Sequence, residues 1–130
     1  MAITLPAEEY IHETQSDGRV VTYCTMRQIV LHTIGLDGSY SHRHRPYHRH
    51  GKCYYKPWRN YFSTTVGEYP WNELEREGYA AHGEIFDYGS YKATFYYLTR
   101  KGFNWLGEQL GMHIHDEAAE KAMKEGGQDD

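Results

Sequence analysis

The predicted fold is decided by two stretches, Leu74-Glu75-Arg76-Glu77-Gly78-Tyr79 and Tyr96-Tyr97-Leu98-Thr99-Arg100-Lys101-Gly102-Phe103. Gly78 can adopt the left-handed conformation that ends a helix, and the Thr99 hydroxyl can accept a hydrogen bond from the N–H groups that open the next helix. Alternate residues of the extended segment between them share a face, with Ala93, Phe95 and Tyr97 on one side and Lys92, Thr94 and Tyr96 on the other. The order predicted is a helix, a two-stranded hairpin with its tip near Asp87-Tyr88-Gly89-Ser90, and a second helix.

A further helix and a hairpin signal near the start of the chain extend this pattern. A first helix is predicted over about 25–35, because Thr25-Met26-Arg27-Gln28 fits a capping box and Tyr23, Met26, Val30 and Ile34 recur at helical spacing. Pro70 suits the first position of the helix that ends at Gly78, and Gly111 should close the last helix. Asp17-Gly18 is typical of a hairpin turn, although residues 1–22 are equally compatible with a loose arm.

Several short motifs resemble those of small bacteriophage and prophage winged-helix proteins, with a wing and closing helix similar to those of MarR- and PadR-type regulators. These motifs are His32-Thr33-Ile34-Gly35-Leu36, Arg59-Asn60-Tyr61-Phe62, Leu74 to Gly78, and Tyr96 to Gly102. The resemblance covers residues 25–110. It implies an α+β, winged helix-turn-helix-like domain with a long basic loop insertion, a role in DNA binding and transcription regulation, and a place in the host cytoplasm.

The chain is accordingly divided into three parts. Residues 1–24 form an N-terminal arm or hairpin, residues 25–111 the winged-helix-like domain with a basic aromatic insertion at about 39–59, and residues 112–130 an acidic flexible tail. A chain of 130 residues is one domain by size. Its start lacks the features of a signal peptide, it has no apolar run long enough to span a bilayer, and Cys24 and Cys53 are expected to be free thiols.

The segment from Tyr40 to Asn60 differs in composition from the rest of the chain. It has six basic residues and no acidic one, a charge of +6, so the remaining residues carry −10 because the net charge is −4. Arginine and lysine bind phosphates, and aromatic rings stack on exposed bases. We therefore predict nucleic-acid contacts by the basic residues and neighbouring aromatics, with further cations near the wing: Arg43, Arg45, Arg49, Lys52, Lys56, Arg59, Tyr47, Tyr54, Tyr55, Trp58, Lys92, Arg100 and Lys101.

Two alternatives to nucleic-acid binding by this segment stay open. The cations can balance acidic neighbours on the protein's own surface, or they can dock an acidic protein partner, since tyrosine, tryptophan and arginine anchor interfaces. The helix before the wing offers Glu73, Glu75 and Glu77, and so is too acidic for an ordinary major-groove reader. An alternative function is therefore a phage-encoded inhibitor or adaptor of a host defence complex, similar to an anti-CRISPR protein or a nucleic-acid mimic, and a third is a virion component.

Metal binding and catalysis find less support in the sequence. His42, His44, His48, His50 and Cys53 offer ligands, and His113-x-His115 offers another pair, but no spacing matches a standard zinc finger. No histidine or carboxylate is fixed next to a nucleophile by any motif. We expect a non-enzymatic binding protein without a metal or cofactor and with no membrane partner.

Overall fold

The computed structural model describes residues 3–36, 45–116 and Glu120, and within them the chain is a mixed α+β protein built mainly from sheets. The three helices of this part are α1 (Met26–Thr33), α2 (Trp71–Arg76) and α3 (Arg100–Leu110). The strands are β1 (Tyr10–Thr14), β2 (Val20–Cys24), β3 (Tyr47–Arg49), β4 (Lys52–Tyr55), β5 (Phe62–Thr65), β6 (Ala80–His82), β7 (Phe86–Asp87), β8 (Lys92–Leu98) and β9 (His113–Ile114).

The strands form three separate sheets. Strands β1 and β2 make a two-stranded hairpin, β3, β4 and β9 make a small sheet in that order, and β5, β8 and β6 make a larger antiparallel sheet whose middle strand also pairs with β7. In the small sheet β3 and β4 are antiparallel, whereas β4 and β9 run parallel. The small sheet therefore joins the middle of the chain to its C-terminal part.

The N-terminal residues form the hairpin and not a loose arm. Strands β1 and β2 pair from Tyr10 opposite Cys24 to Thr14 opposite Val20, and Gly18 at the turn has a φ of 87°. Tyr23, predicted to begin the apolar side of the first helix, lies instead in β2 and is exposed. Its helical spacing with Met26 is a coincidence, because the chain is extended up to Cys24.

Helix α1 begins where it was predicted to begin, but the capping box is wrong. The Thr25 side chain makes no hydrogen bond to the helix N-terminus. Its hydroxyl donates instead to the carbonyl oxygens of Glu8, at 2.6 Å, and Glu9, at 3.1 Å. The Thr25 hydroxyl thus bonds to the backbone just before β1 and not to the N–H groups of α1. These bonds connect the hairpin to the start of α1.

The helix, hairpin and helix around the larger sheet confirm the predictions made from Gly78 and Thr99. Gly78 has a φ of 80°, and the Thr99 side chain accepts a hydrogen bond from the Gly102 N–H at 3.1 Å. Pro70 occupies the position just before α2 and not its first turn. Along β8 the burial alternates, so that Thr94, Tyr96 and Leu98 face the core.

The core lies between the larger sheet, the three helices and the inner side of the small sheet. Trp71 of α2 is fully buried and stacks on Tyr96 of β8, with ring centroids 5.2 Å apart. Tyr79 stacks on Trp105 of α3 at 4.7 Å. The other large apolar side chains of the described residues that are fully buried are Val30, Ile34, Tyr55, Pro70, Leu74, Leu98 and Leu106.

Strand β9 differs from the prediction for the C-terminal part of the chain. Residues 112–116 were assigned to a flexible tail, but Ile114 is 3% exposed and packs in the core, and the His115 N–H donates to the Tyr55 carbonyl at 2.9 Å. The physical reason is that β4 leaves a strand edge open, which β9 fills. Of the described residues, none belongs to a helix with the length and apolar character needed to cross a bilayer.

Candidate functional site

Where β4 pairs with β9, the small sheet has one buried face and one face toward solvent. Tyr55 and Ile114, which lie opposite each other in β4 and β9, point into the core, and the Tyr55 hydroxyl donates to the Ile34 carbonyl at 2.9 Å. Because side chains alternate along a strand, residues one position away from these point outward. We call the solvent side the cationic face, and define it by Tyr47, Arg49, Lys52, Tyr54 and His113.

Two cations lie directly opposite each other on the cationic face. Arg49 is the last residue of β3 and pairs in register with Lys52, the first residue of β4. Both are exposed, and within the described ranges neither has a carboxylate partner. Like charges at opposed positions of an antiparallel pair destabilise it, so this arrangement has a cost that an anionic ligand would relieve.

The turn between the two strands brings these cations together. His50 and Gly51 both have positive φ, 53° and 77°, which is the backbone geometry of a two-residue hairpin turn that matches the twist of its strands. Glycine adopts this conformation without a steric penalty. The turn therefore fixes the register that places Arg49 and Lys52 side by side.

Parallel aromatic rings cover the rest of the cationic face. Tyr47 stacks on Tyr54 with centroids 5.6 Å apart and an interplanar angle of 20°, and Tyr54 stacks on His115 at 5.9 Å and 18°. The Tyr47 side chain is 43% exposed. Rings held parallel by a sheet and open to solvent are suited to extending their stack with a planar ligand.

The structure separates the other predicted contact residues. Tyr55 is buried, so its prediction as a base-stacking residue is wrong, because its ring fills the core beneath the small sheet. Trp58 lies against Gly35, just after the end of α1, and its Nε1 donates to the Gly35 carbonyl at 3.2 Å. The Arg59 guanidinium is 4.2 Å from the centroid of the Tyr61 ring, and Arg59 Nη2 donates to the Tyr61 carbonyl.

The remaining predicted cations lie outside the strands that form the cationic face. Arg45 and Lys56 are exposed and flank β3 and β4. Lys92 is the first residue of β8, whose seven residues span about 20 Å, and Arg100 lies beyond the other end of β8, at the start of α3. Lys101 Nζ donates to the Glu77 carbonyl at 2.9 Å and lies over the Tyr79 ring. Arg43, His42 and His44 fall outside the described residues.

His113 of the cationic face and the neighbouring His115 were not predicted from sequence to be part of the nucleic-acid contact surface. His113 lies edge-on to His115 at 4.7 Å, and the Tyr47 hydroxyl is 3.1 Å from His115 Nε2. The only sequence feature that pointed to them was their spacing of two, which puts both rings on one side of a strand. Nothing local in the sequence predicts that this strand pairs with β4.

A second solvent-facing surface lies on the larger sheet. Phe95 and Tyr97 point away from the core along β8, and Phe95 makes edge contacts with Tyr61 at 6.1 Å and with Phe86 at 6.4 Å. All four side chains are more than a third exposed. We call this surface, made of Tyr61, Phe86, Phe95 and Tyr97, the aromatic face.

Comparison of the chain with protein-family models, with curated proteins and with solved structures gave no match. The geometry of the two faces is therefore the basis for any functional proposal.

Proposed function

We propose that this protein is a non-enzymatic nucleic-acid-binding protein that contacts its ligand through the cationic face. The observation that supports this proposal most directly is the pair Arg49 and Lys52, exposed and directly opposed beside the parallel rings of Tyr47 and Tyr54. Cations bind the phosphates and exposed rings stack on bases, and this combination is the one used for single strands. The ligand class proposed is single-stranded DNA or RNA.

We further propose that the protein is a winged-helix-like domain of phage type, and the order of its elements supports this proposal. Its proposed role is that of an accessory or regulatory protein in the host cytoplasm. In the larger sheet β8 lies between β5 and β6, α2 connects β5 to β6, and α3 follows β8 as a closing helix. In this part of the chain α2 has six residues, and its Glu75 is hydrogen bonded to His82 at 2.6 Å. A helix this short and acidic does not suit a major groove, which favours contact through the small sheet.

A charge-removal experiment tests the cationic face. Binding of labelled single-stranded oligonucleotides is measured by fluorescence anisotropy over a range of salt concentrations. The double variant Arg49→Gln, Lys52→Gln should bind more weakly, and the slope of log K against log salt should fall by about 1.4 if two phosphate contacts are lost. The matched control is Arg19→Gln, Arg76→Gln, which removes two exposed cations outside the small sheet and should leave the slope unchanged.

Two results would refute this proposal. One is an absence of salt-dependent binding by the unmodified protein to any single-stranded or double-stranded oligonucleotide. The other is an equal loss of affinity in the two double variants, since that would reflect net charge and not a local contact.

A second candidate function, that of a protein-binding inhibitor or adaptor of a host complex, is favoured by the aromatic face. Its four exposed aromatic side chains are of the type that anchors protein interfaces, and the face has few charges. Mimicry of nucleic acid by the glutamates in and just after α2 has less support, because Glu73, Glu75 and Glu77 are each partly buried.

Substitution of the aromatic face separates the two functions. In nuclease-treated host lysate, a stoichiometric partner that is captured by the unmodified protein and lost with Phe95→Ser, Tyr97→Ser would favour the second candidate. Retention of the same partner by Arg49→Gln, Lys52→Gln would show that the cationic face is not involved. If no partner survives nuclease treatment, the second candidate is refuted.

A further inference from the structure

Three side chains with metal-binding chemistry converge at the end of β9. The ligand atoms of His113, His115 and Glu120 all lie within 4.8 Å of one another, and among the described residues they form the one such group. His115 directly follows β9 and its N–H continues the pairing with β4, so its ring projects to the same side of the sheet as the ring of His113, two positions earlier. The group therefore combines two imidazole nitrogens with a carboxylate oxygen.

Rigid neighbours hold the central ligand, His115. Its backbone N–H is bonded to the Tyr55 carbonyl of β4, and its ring stacks on Tyr54. Its Nδ1 lies 2.9 Å from Glu120 Oε1, and its Nε2 lies 3.1 Å from the Tyr47 hydroxyl. The two nitrogens thus face different partners, with Nδ1 toward the other candidate ligands and Nε2 toward the sheet.

This arrangement is that of a metal ligand with an outer hydrogen-bond partner. A histidine bound to a metal through one nitrogen usually donates the N–H of the other to a neighbouring oxygen, which fixes the ring orientation. The Tyr47 hydroxyl is placed to accept such a bond from His115 Nε2. The ring would then direct Nδ1 toward an ion held between it, His113 and Glu120.

We propose that His113, His115 and Glu120 bind a zinc ion. Zinc takes nitrogen and oxygen ligands at about 2.1 Å in a tetrahedron, so its ligand atoms lie about 3.4 Å apart. Rotation of the exposed His113 and Glu120 side chains would bring the three ligand atoms, now within 4.8 Å of one another, to this separation. Three protein ligands leave a fourth position for water or a ligand oxygen. The ion would link Glu120 to β9 at the border of the cationic face.

The proposed site differs from the histidine-rich candidates expected from sequence. His48 and Cys53 lie opposite each other in the β3–β4 register, on the side of the small sheet away from Tyr54 and His113. Within the described ranges no third ligand joins them, and His50 is exposed at the turn. The two groups can therefore be separated by substitution.

Zinc binding is measured by competition between the metal-free full-length protein and a chromophoric chelator. We expect one equivalent of tightly bound zinc, and a loss of affinity of 100-fold or more in both His113→Ala and Glu120→Gln. Tyr47→Phe removes the outer acceptor and should weaken binding by about 10-fold to 100-fold. The matched controls His12→Ala and His48→Ala should bind as the unmodified protein does.

Cobalt provides a second readout of the same site. Co²⁺ in place of zinc should give the visible absorption of a four-coordinate ion, and this absorption should be lost in Glu120→Gln, whose exposed position leaves the fold intact. The proposal is overturned if the unmodified protein binds no stoichiometric zinc. It is equally overturned if His113→Ala binds zinc with the affinity of the unmodified protein, whether or not His48→Ala does. None of these readouts depends on nucleic acid.

Discussion

Asn60 illustrates how one side chain can take the place of a strand. Its Nδ2 donates to the Leu98 carbonyl at 3.0 Å, and its Oδ1 accepts from the Leu98 N–H at 2.9 Å. In the register of β5 and β8, Phe62 lies opposite Tyr96, so Asn60 sits where the next rung of the ladder would fall. The Asn60 side-chain amide thus pairs with β8 two residues before the backbone pairing of β5 begins.

The first prediction concerns this amide. Asn60→Ala leaves two backbone groups of Leu98 without their partners, and we expect the free energy of unfolding to fall by about 2 kcal/mol. Asn60→Asp keeps the acceptor but loses the donor, and should give a smaller loss. Urea denaturation measures both, with Asn72→Ala on the exposed side of α2 as the control. An equal effect of Asn60→Ala and Asn72→Ala would contradict the role assigned to Asn60.

At the scale of elements, β9 holds the small sheet to the rest of the protein. Its two residues have divided roles, since Ile114 packs in the core while His113 lies on the cationic face. Through Tyr54 and Tyr55, both faces of β4 depend on this short parallel pairing. Loss of packing beneath β9 should therefore also disturb the positions of the side chains on the cationic face.

The second prediction tests β9 by making a cavity beneath it. Ile114→Ala should lower the free energy of unfolding by about 2–4 kcal/mol, the usual cost for a buried isoleucine. The control is Ile11→Ala in β1, where the side chain is 54% exposed and should matter little. Chemical denaturation followed by tryptophan fluorescence distinguishes the two. A cost below 1 kcal/mol for Ile114→Ala would mean that β9 is not part of the folded core.

The third prediction concerns the parallel rings of β3 and β4. If bases stack on them, Tyr47→Ala and Tyr54→Ala should each weaken oligonucleotide binding by about 1–3 kcal/mol. Tyr88→Ala, at the tip between β7 and β8, removes a tyrosine that is 60% exposed and should have no effect. Anisotropy titrations at constant salt measure these affinities. Equal affinities for all three variants would exclude stacking on the cationic face.

At the scale of the whole molecule, the charge distribution limits how much ligand can bind. The chain has a net charge of −4, although the segment from Tyr40 to Asn60 carries +6. Strands β3 and β4 are three and four residues long, which corresponds to about 10–13 Å of extended chain. A nucleic acid longer than this face would meet surface that is negative on average.

The fourth prediction follows from this limit. Affinity for single-stranded oligonucleotides should rise with length over the first few nucleotides and then stay constant, because added phosphates find no further cations. A series of homopolymers of increasing length, titrated at one salt concentration, measures the plateau. A continued rise in intrinsic affinity per site with length would indicate a longer basic track than the cationic face provides.

Elements set by local chemistry were predictable from the sequence. The glycine that ends α2, the threonine that caps α3 and the turn near Gly89 all act on residues within a few positions. Thr25 was misjudged because Glu8 and Glu9, far earlier in the chain, offer better acceptors for its hydroxyl. Rules based on neighbouring residues cannot predict which acceptor, local or distant in sequence, the hydroxyl will choose.

The candidate site was predictable only in part, for the same reason. The basic and aromatic composition pointed to Tyr47, Arg49, Lys52 and Tyr54, but composition alone could not separate them from the buried Tyr55. The contribution of His113 and His115 depends on pairing between residues almost sixty positions apart. A strand of two residues is too short to give a hydrophobic periodicity in the sequence from which its parallel pairing could be predicted.

That long-range pairing has a consequence for the order of events during synthesis. Tyr54 leaves the ribosome well before its partner His113. The edge of β4 that pairs with β9 therefore stays unpaired while α2, the larger sheet and α3 are synthesised. The ring stack can assemble only after residues 113–115 have been translated, and the proposed zinc ligands only after Glu120 as well. A nascent chain would thus acquire its binding surface last, after the remainder of its fold is in place.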